Sequence, residues 1–277
     1  MRIIHCVPYF LPSEGGLERA VFYLARQLVL LGHTVNVFTF NSISSSEDKI
    51  RPVYSGGLMS YEVIDDVEVY RFSYSCLASM GSKFSLPLIF KLLKEKPDII
   101  HLHAVISFPN MFLIGLCGRA MRIPVVLTAH GMHEVLSILS NRIDNIFGPL
   151  GIVALKWALK NVCKCISLTD SSKLALVKLG VKPENIFQIP NGVDLHKFES
   201  YQPDKDVLRR YGLERYQVAL CVSRIAKNKG IDDLIIAASE VSKKFSDVCF
   251  VVVGRSWDRK YKHCLLYTSP SPRDRTR

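Results

Sequence analysis

The stretch that decides the fold is RIIHCVPYFLPSEGGLERAVFYLARQLVLLGHTVNVFTF, residues 2–40. Residues 2–7 form an apolar run that is typical of a buried parallel strand. Apolar side chains then recur at alternating spacings of four and three, at Leu17, Val21, Leu24, Leu28 and Leu31. This spacing predicts a helix with one core face that ends at Gly32. Residues 33–40 resume as a strand, so the stretch predicts a right-handed parallel crossover.

The same alternation continues through the first 197 residues. Further strands are predicted at 99–103, 124–129, 164–169 and 186–190, with helices at 108–120 and 171–179. The segment EVIDDVEVYRF, residues 62–72, predicts a short hairpin at the edge of the sheet. Strands that alternate with helices in this way predict an α/β domain with a doubly wound sheet.

A second domain of the same kind begins after the polar segment 199–216. The pattern predicts a strand at 217–225 (QVALCVSRI), a loop at 226–230 (AKNKG), a helix from Ile231 to about Phe245, and a strand at 248–254 (VCFVVVG). We therefore expect a complete domain at 1–197 and an incomplete one at 198–263.

Composition indicates a core-forming chain, with 48% hydrophobic and 22% charged residues in a length of 277. We recognise no secretory signal and no uncharged apolar run of spanning length, so we expect a cytoplasmic protein. Eight cysteines without a C-x-x-C pair indicate reduced thiols rather than a metal site. The net charge of +11 is spread along the chain. An anionic membrane surface or a phosphorylated ligand explains it as well as nucleic acid does.

The stretch PSEGGLER places Gly15 and Gly16 between the end of a strand and the first turn of a helix. Free amides and the helix dipole favour a phosphate at such a place, and glycine lets the backbone approach it. A tight turn that merely packs is the alternative. The stretch is neither the G-x-G-x-x-G of nicotinamide enzymes nor a Walker loop, so it disfavours a dehydrogenase or a nucleoside triphosphatase.

Histidines fall at the predicted carboxyl ends of two parallel strands, His103 in HLHA and His130 in LTAHG. Ligands bind at this edge of a doubly wound sheet. His101 points to the same side as His103, one step deeper in the sheet. Capping of backbone groups is the alternative for each of them, and for His133 a structural role is favoured.

The stretch SRIAKNKG places Arg224 and Lys229 on the loop after the first strand of the second domain, with Gly230 at the mouth of its helix. Two cations beside a helix amino end suit a diphosphate. Solvated surface charge is the alternative. Because each domain has a phosphate-type loop after its first strand, we expect the two loops to face each other across a cleft.

Five stretches in this order resemble family 4 glycosyltransferases of the GT-B fold. They are PYFLPSEGGLERAVFYLARQLVLLGHTVNVFT, PDIIHLH, PVVLTAHG, IPNGVDLHKF and SRIAKNKGIDDLIIA. The resemblance covers residues 2 to about 262, and it departs from the family at Ser223, where glycine is usual. It implies two Rossmann-like domains, an acceptor-side domain at 1–197 and a nucleotide-sugar-binding domain at 198–263.

The resemblance also implies residue roles. Gly15 and Gly16 would contact the donor diphosphate from the first domain, and Arg224 and Lys229 would neutralise it from the second. His130 matches the family histidine that contacts the transferred sugar or the acceptor, and it is the candidate catalytic residue. Three further residues are candidates for the acceptor site or pocket, namely His103, Glu18 and Asn191. Asn191, with Gly192 and Asp194, matches a signature for which a role in the turn is favoured over catalysis.

No cofactor and no metal are expected. Fixed cations and backbone amides can stabilise the negative charge that develops on a departing diphosphate. The adjacent pairs Asp65–Asp66 and Asp232–Asp233 are better explained as a turn and a first helical turn than as a metal motif.

The tail HCLLYTSPSPRDRTR, residues 263–277, breaks the alternation. Residues 264–277 resemble a translated transposase adapter from a sequencing library, so we expect a non-native tail there. The alternative is a natural disordered tail. The E-x7-E carboxylate pair of the family is not reached in this sequence, so we expect the 277-residue chain to be a fragment without activity.

The resemblance implies a retaining glycosyltransferase that moves a sugar from a nucleotide-diphosphate sugar to a glycan or lipid-linked acceptor, in synthesis of cell-envelope or surface polysaccharide. A nucleotide-sugar epimerase of the same fold and a non-catalytic sugar-nucleotide-binding module remain as alternatives. A nucleic-acid-binding protein is the weakest, because no such motif is recognised. Peripheral attachment to the inner face of the membrane stays open. The stretch SFPNMFLIGLCGRAMR, residues 107–122, mixes apolar residues with two arginines, although a buried crossover helix explains it better.

Overall fold

The computed structural model describes residues 1–13, 15–44, 50–51, 53, 56–77, 82–103, 108–131, 147–199, 205–256, 261 and 265. The chain divides into two compact units. The first comprises Met1–Ile43 and Arg51–Val193, and the second comprises Ser44–Ile50 and Asp194–Arg277. The expected domain boundary after residue 197 lies close to this division. His133 and all of the 264–277 tail except Leu265 lie outside the described residues.

Twelve strands precede residue 193 in the described part of the chain. They are β1 (Arg2–Val7), β2 (Thr34–Phe40), β3 (Ile43–Ser44), β4 (Ile50–Arg51), β5 (Met59–Ile64), β6 (Val67–Phe72), β7 (Ser75–Leu77), β8 (Ser82–Phe84), β9 (Ile99–His103), β10 (Val125–Ala129), β11 (Lys164–Ser167) and β12 (Ile186–Gln188). The helices are α1 (Gly16–Leu30), α2 (Leu86–Glu95), α3 (Phe108–Met121), α4 (Phe147–Leu159) and α5 (Asp170–Lys178).

The first unit is built on an eight-stranded sheet with the order β12-β11-β10-β9-β1-β2-β6-β5. The chain moves from β1 outward through β2 to β6, returns to the other side of β1 as β9, and then continues outward to β12. All neighbours are parallel except β5, which pairs with β6 in antiparallel register. The doubly wound sheet and the edge hairpin that the sequence predicts are therefore confirmed.

Helix α1 covers one face of this sheet. Val21 and Ala25 are fully buried and belong to a core with Val35 and Val37 of β2. The helix has Gly32 behind its last turn, with φ of 80° and a bond from its amide to the carbonyl oxygen of Val29, as predicted. Two leucines of the predicted core face differ from expectation, since Leu24 is 38% and Leu31 is 72% exposed. Ala25 is buried on this face in place of Leu24, and Leu31 lies beyond the end of the helix.

Helices α2, α3 and α4 supply the larger core on the opposite face. Met111 and Ile114 of α3 are fully buried there with Ile100 and Leu102 of β9. The stretch 107–122 thus contains a buried crossover helix, as the sequence favoured. Among the described residues, no helix combines the length and the apolar character that crossing a bilayer requires.

Helices α2 and α4 did not emerge from the sequence pattern. The start of α2 has a local signal, since Ser85 caps the helix by accepting a hydrogen bond from the Leu88 amide and Pro87 occupies the first turn. Strand β11 ends at Ser167, two residues earlier than predicted. The reason is that Thr169 caps α5, its hydroxyl accepting from the Ser172 amide at 3.2 Å.

The second unit contains α6 (His196–Glu199), α7 (Lys205–Tyr211), β13 (Gln217–Val222), α8 (Ile231–Ser242) and β14 (Val248–Val253). Strands β13 and β14 pair in parallel, so the predicted strand, loop, helix, strand order is confirmed. Apolar side chains of these strands are exposed, with Leu220 at 61%, Val222 at 72% and Val253 at 49%. Burial of apolar surface therefore stabilises this pair less than it stabilises the sheet of the first unit.

We expect the amides of β13 and β14 to exchange with deuterium much faster than those of β1 and β9 in the purified chain. Strands with little buried apolar area open at a lower free energy, and a difference of about 3 kcal/mol corresponds to roughly 100-fold in exchange rate. Mass spectrometry of peptic peptides measures this directly. Equal protection of the two sets of strands would contradict the lower stability that we expect for β13 and β14.

Candidate active site

The loop between β1 and α1 brings Gly15, Gly16 and Glu18 to the carboxyl edge of the sheet. Glu18 is buried, and its carboxylate lies against Gly15 so closely that a side chain at position 15 would overlap it. Open space surrounds the corresponding position at Gly16. Helix α1 starts at Gly16 with no side-chain cap. The start of this helix lies where the sequence predicts a phosphate, and that role stays a prediction.

The same loop is tied to the sheet edge by Arg71 of β6. The Arg71 side chain is buried, and its guanidinium donates to the Leu11 carbonyl and to the Glu62 carboxylate. Within the loop, the Ser13 amide donates to the Phe10 carbonyl at 3.0 Å. These bonds fix the backbone that leads into Gly15.

Three histidines converge beside this loop. In the parallel pairing of β1 with β9, His5 lies opposite His101, and His103 follows two residues later on the same face. His5 Nδ1 and His103 Nε2 are 2.8 Å apart, and His101 Nε2 is 2.8 Å from Thr128 Oγ1 of β10. The His101 and His103 rings stack with their centroids 4.1 Å apart. The result is a polar cluster, which we call the histidine cluster, in the interior of the sheet.

Burial keeps the histidine cluster neutral. Burial lowers the pKa of His5 and of His103 well below the ordinary value, and the neighbouring histidines lower both further. Burial, with a smaller contribution from His130, lowers the pKa of His101 to about 4. His5 Nε2 and His103 Nδ1 are buried without a hydrogen-bond partner among the described residues.

His130 lies at the end of β10, on the open side of the histidine cluster. Its amide donates to the Thr128 carbonyl at 3.0 Å, and its ring centroid is 5.7 Å from that of His103. The side chain is half-buried, and burial lowers its pKa to about 4. At neutral pH it is an uncharged imidazole that can donate one hydrogen bond and accept another. Gly131 follows with φ of 66°, a turn that glycine adopts without strain.

The structure distributes the other predicted residues over both units. In the first unit, His103 is buried and contacts histidine rings, whereas Asn191 is exposed on the segment after β12. In the second unit, Arg224 and Lys229 are exposed on the loop between β13 and α8. Gly230 is the residue just before α8, with φ of 66°. The roles of all these residues remain predictions.

Ser223 stands where the family usually has glycine, and its backbone carbonyl is in close contact with a glycine of the neighbouring strand end. The backbone of Gly254, just after β14, lies directly against the Ser223 carbonyl, so that a side chain at 254 would overlap it. The Ser223 hydroxyl donates to the Arg224 carbonyl at 3.2 Å. The glycine at 254 makes this close approach to the Ser223 backbone possible.

Sequence reasoning missed two members of this site, His5 and Thr128. His5 lies inside the apolar run of β1, and only the register with β9 places it against His103, 98 residues away. Thr128 is likewise matched to His103 by the pairing of β10 with β9. The available signal was a polar residue inside each of two strands whose other residues are mostly apolar.

The fold is that of glycosyltransferases of the GT-B class. The superposition with HepE from Anabaena in complex with UDP and glucose has a TM-score of 0.65 at 16% identity, and covers 99% of this chain and 68% of that one. The sequence model of Glycosyltransferase Family 4 matches residues 14–197. The chain belongs to this family.

Two curated relatives are similar along most of the chain. One subunit of phosphatidylinositol N-acetylglucosaminyltransferase from Arabidopsis thaliana is 26% identical over 276 residues, which are 96% of this chain and 56% of the relative. Alpha-monoglucosyldiacylglycerol synthase of Acholeplasma laidlawii is 28% identical over 268 residues, 90% of this chain and 62% of the relative. The chain therefore spans little more than half the length of these relatives.

We expect Thr128→Val to lower the free energy of unfolding of the first unit by about 1–3 kcal/mol, because it leaves His101 Nε2 buried without its partner. Thr39→Val is the matched control. The Thr39 hydroxyl is buried without a hydrogen-bond partner among the described residues, so its removal is expected to be neutral or stabilising. Urea unfolding followed by circular dichroism compares the two. Equal effects of the two substitutions would argue against the His101–Thr128 bond.

Proposed function

We propose that this chain is part of a retaining glycosyltransferase that moves a sugar from a UDP-sugar to a lipid acceptor. The observation that carries the proposal is the family match over residues 14–197, which includes Gly15, Gly16, His103 and His130 at one edge of the sheet. One similar protein is named as a subunit of an N-acetylglucosaminyltransferase and another as a glucosyldiacylglycerol synthase, and both names favour sugar transfer over epimerisation. A binding module without catalysis would need neither His130 nor an acceptor.

The donor diphosphate, in this proposal, is bound by backbone amides and by fixed cations. Helix α1 starts beside Gly15 and Gly16, and the open space around Gly16 allows a close approach to the backbone. Arg224 and Lys229 lie on a loop that leads into a helix, which is also suited to an anion. Negative charge grows on the diphosphate as the bond to the sugar breaks, so these groups stabilise the transition state more than the ground state.

His130 is the proposed polar contact to the transferred sugar or the acceptor. Its imidazole is neutral, half-buried and placed at the end of a central strand, so it can hydrogen-bond a hydroxyl group without bringing a second positive charge near the sugar. Positive charge develops on the sugar in the transition state, and a protonated imidazole would oppose it. We propose that the leaving group departs without a divalent cation.

A lipid acceptor is supported by the relatives, whose names specify phosphatidylinositol and diacylglycerol. It is also supported by an exposed apolar groove of about 560 Å³ in the first unit. We call it the α2–β5 surface, and it is lined by Leu58, Met59, Leu86, Pro87, Phe90, Lys91 and Lys94. Leu86 is 50% and Phe90 is 67% exposed.

The position and charge of the α2–β5 surface suit an anionic membrane. Met59 pairs with Phe72 at the carboxyl end of β6, which places this surface at the same edge of the sheet as His130. Lys94 is exposed in the last turn of α2, whereas Lys91 forms an ion pair with the Glu95 carboxylate and contacts the Tyr70 ring at 4.5 Å. Apolar side chains next to lysines are the pattern that binds an anionic lipid interface. We propose a cytoplasmic protein held peripherally on the inner face of the membrane.

Transfer of radiolabelled sugar from UDP-sugars to a lipid extract tests the function, with protein made from the complete reading frame. Arg224→Ala and Lys229→Ala are each expected to lower kcat/KM by roughly 10²–10³, because each removes a charge that acts on the leaving group. Arg210→Ala removes an exposed cation of the same unit and is expected to keep full activity. Wild-type enzyme that forms no labelled lipid with any UDP-sugar would exclude the proposal.

Cosedimentation of the chain with vesicles tests the membrane contact. We expect binding to vesicles with one-third anionic lipid, and loss of most of that binding in Phe90→Asp, which places a charge in the apolar groove. Leu174→Asp changes a leucine that is 61% exposed on α5 and is expected to bind as wild type does. Wild-type protein that stays in the supernatant would argue against a membrane. A dimer that Phe90→Asp dissociates would instead assign the surface to a second copy.

A further inference from the structure

We infer that His5, His101 and His103 form a binding site for a divalent transition-metal ion of the zinc type. The inference does not depend on the proposed function. It is carried by the way two neighbouring strands place three imidazoles, by the distances between their nitrogens and by the hydrogen bond of His101.

The sheet topology brings the three histidines together, and all three are on strands. His101 and His103 form an H-x-H pair on β9, so that both side chains point to one face of the sheet. His5 lies opposite His101 in the parallel pairing of β1 with β9, which brings the third imidazole to the same face. Two regular, buried strands hold all three residues, so their backbones are fixed in advance.

The distances suit coordination with a small rearrangement. One nitrogen from each of the three rings can be chosen so that all lie within 4.8 Å of one another. Nitrogens bound tetrahedrally to zinc at 2.0–2.1 Å are about 3.3 Å apart. His5 Nδ1 and His103 Nε2 now share a proton at 2.8 Å. When that proton moves to the outer nitrogen of its own ring, both inner lone pairs become available, and no net proton is released.

The unpartnered nitrogens show that hydrogen bonding alone leaves this cluster incomplete. His5 Nε2 and His103 Nδ1 have no partner within the part of the chain that the structure describes. Because the two rings share one proton between them, one outer atom is a bare lone pair and the other an N–H. When the inner nitrogens bind the ion, each outer nitrogen carries a proton, and an ordered water is the kind of partner that such a buried atom takes up.

His101 already has the outer contact typical of a metal ligand. Its Nε2 is 2.8 Å from the Thr128 hydroxyl, which fixes the ring and leaves Nδ1 as the second nitrogen. Metal-bound histidines usually donate their other N–H to such a partner, which orients the ring. A hydroxyl can accept as well as donate, so this contact is compatible with the tautomer of His101 that has its proton on Nε2 and a lone pair on Nδ1.

The donor set determines the class of ion. Three neutral imidazoles suit Zn²⁺, Co²⁺ or Ni²⁺, whereas Mg²⁺ and Ca²⁺ prefer oxygen ligands. Cys6 does not join this site, because it follows His5 in β1 and its side chain packs into the core on the opposite face. A three-histidine site leaves a fourth position for water. The nearby His130 ring would then contact a His103 ring whose orientation the ion has fixed.

Cobalt titration of the metal-stripped chain is the decisive experiment. We expect one equivalent of Co²⁺ to produce the intense visible bands of a tetrahedral site, and Zn²⁺ to displace it and raise the Tm. His101→Ala is expected to abolish these bands, and Thr128→Val to weaken binding by roughly 10–100-fold. His196→Ala removes an exposed histidine of the second unit and is expected to bind as wild type does.

Wild-type protein that gives only the weak spectrum of octahedral Co²⁺, with no change in Tm on addition of Zn²⁺, would overturn the inference. So would tetrahedral bands that survive in both His101→Ala and His5→Ala. If either variant fails to fold, the wild-type titration and Thr128→Val still decide the question. These measurements detect ion binding alone, so an inactive transferase would leave their result unchanged.

Discussion

The central strand β1 is the constraint on which the rest of the first unit depends. It pairs in parallel with β2 on one side and with β9 on the other, and five of its six residues are buried. Helix α1 leaves it on one face of the sheet, while α3 and α4 pack on the other. The chain therefore reverses its direction of winding between β1 and β9, and the carboxyl ends of strands at such a point are where ligands bind in open α/β sheets. The Gly15 loop and His103 lie at this point because of the topology, before any specific contact is considered.

The histidine cluster is an exception to the rule that central strands of a parallel sheet are apolar. Three polar rings occupy positions where valine or isoleucine would stabilise the core, and two of their nitrogens have no partner in the described residues. Burial keeps the rings uncharged, which lowers the cost compared with that of an ion pair. A chain selected for stability alone would not retain this arrangement. Local conflict of this kind is typical of a site with a function.

How far the sequence predicts this molecule depends on the range of the interactions. The crossover from β1 through α1 to β2 could be predicted because its signals are local: an apolar run, a spacing of four and three, and Gly32. The position of His130 at a strand end followed from the same local pattern. The contact between His5 and His103 could not be predicted, because it needs the register of two strands that are 98 residues apart. Helix α4 was missed since its mostly apolar sequence lacks a clear polar face.

The sheet order also has a consequence in time. The edge of β1 that pairs with β9 has no partner until residue 103 has been synthesised, although β2 can pair with the other edge once residue 40 is available. At ribosomal rates of 5–20 residues per second, this interval lasts roughly 3 to 13 s. During it, the nascent chain presents an apolar strand with an open edge, which is the surface that chaperones bind and that aggregation begins from. Strand β1, on which the finished unit depends, is thus paired at both edges only after β9 has been synthesised.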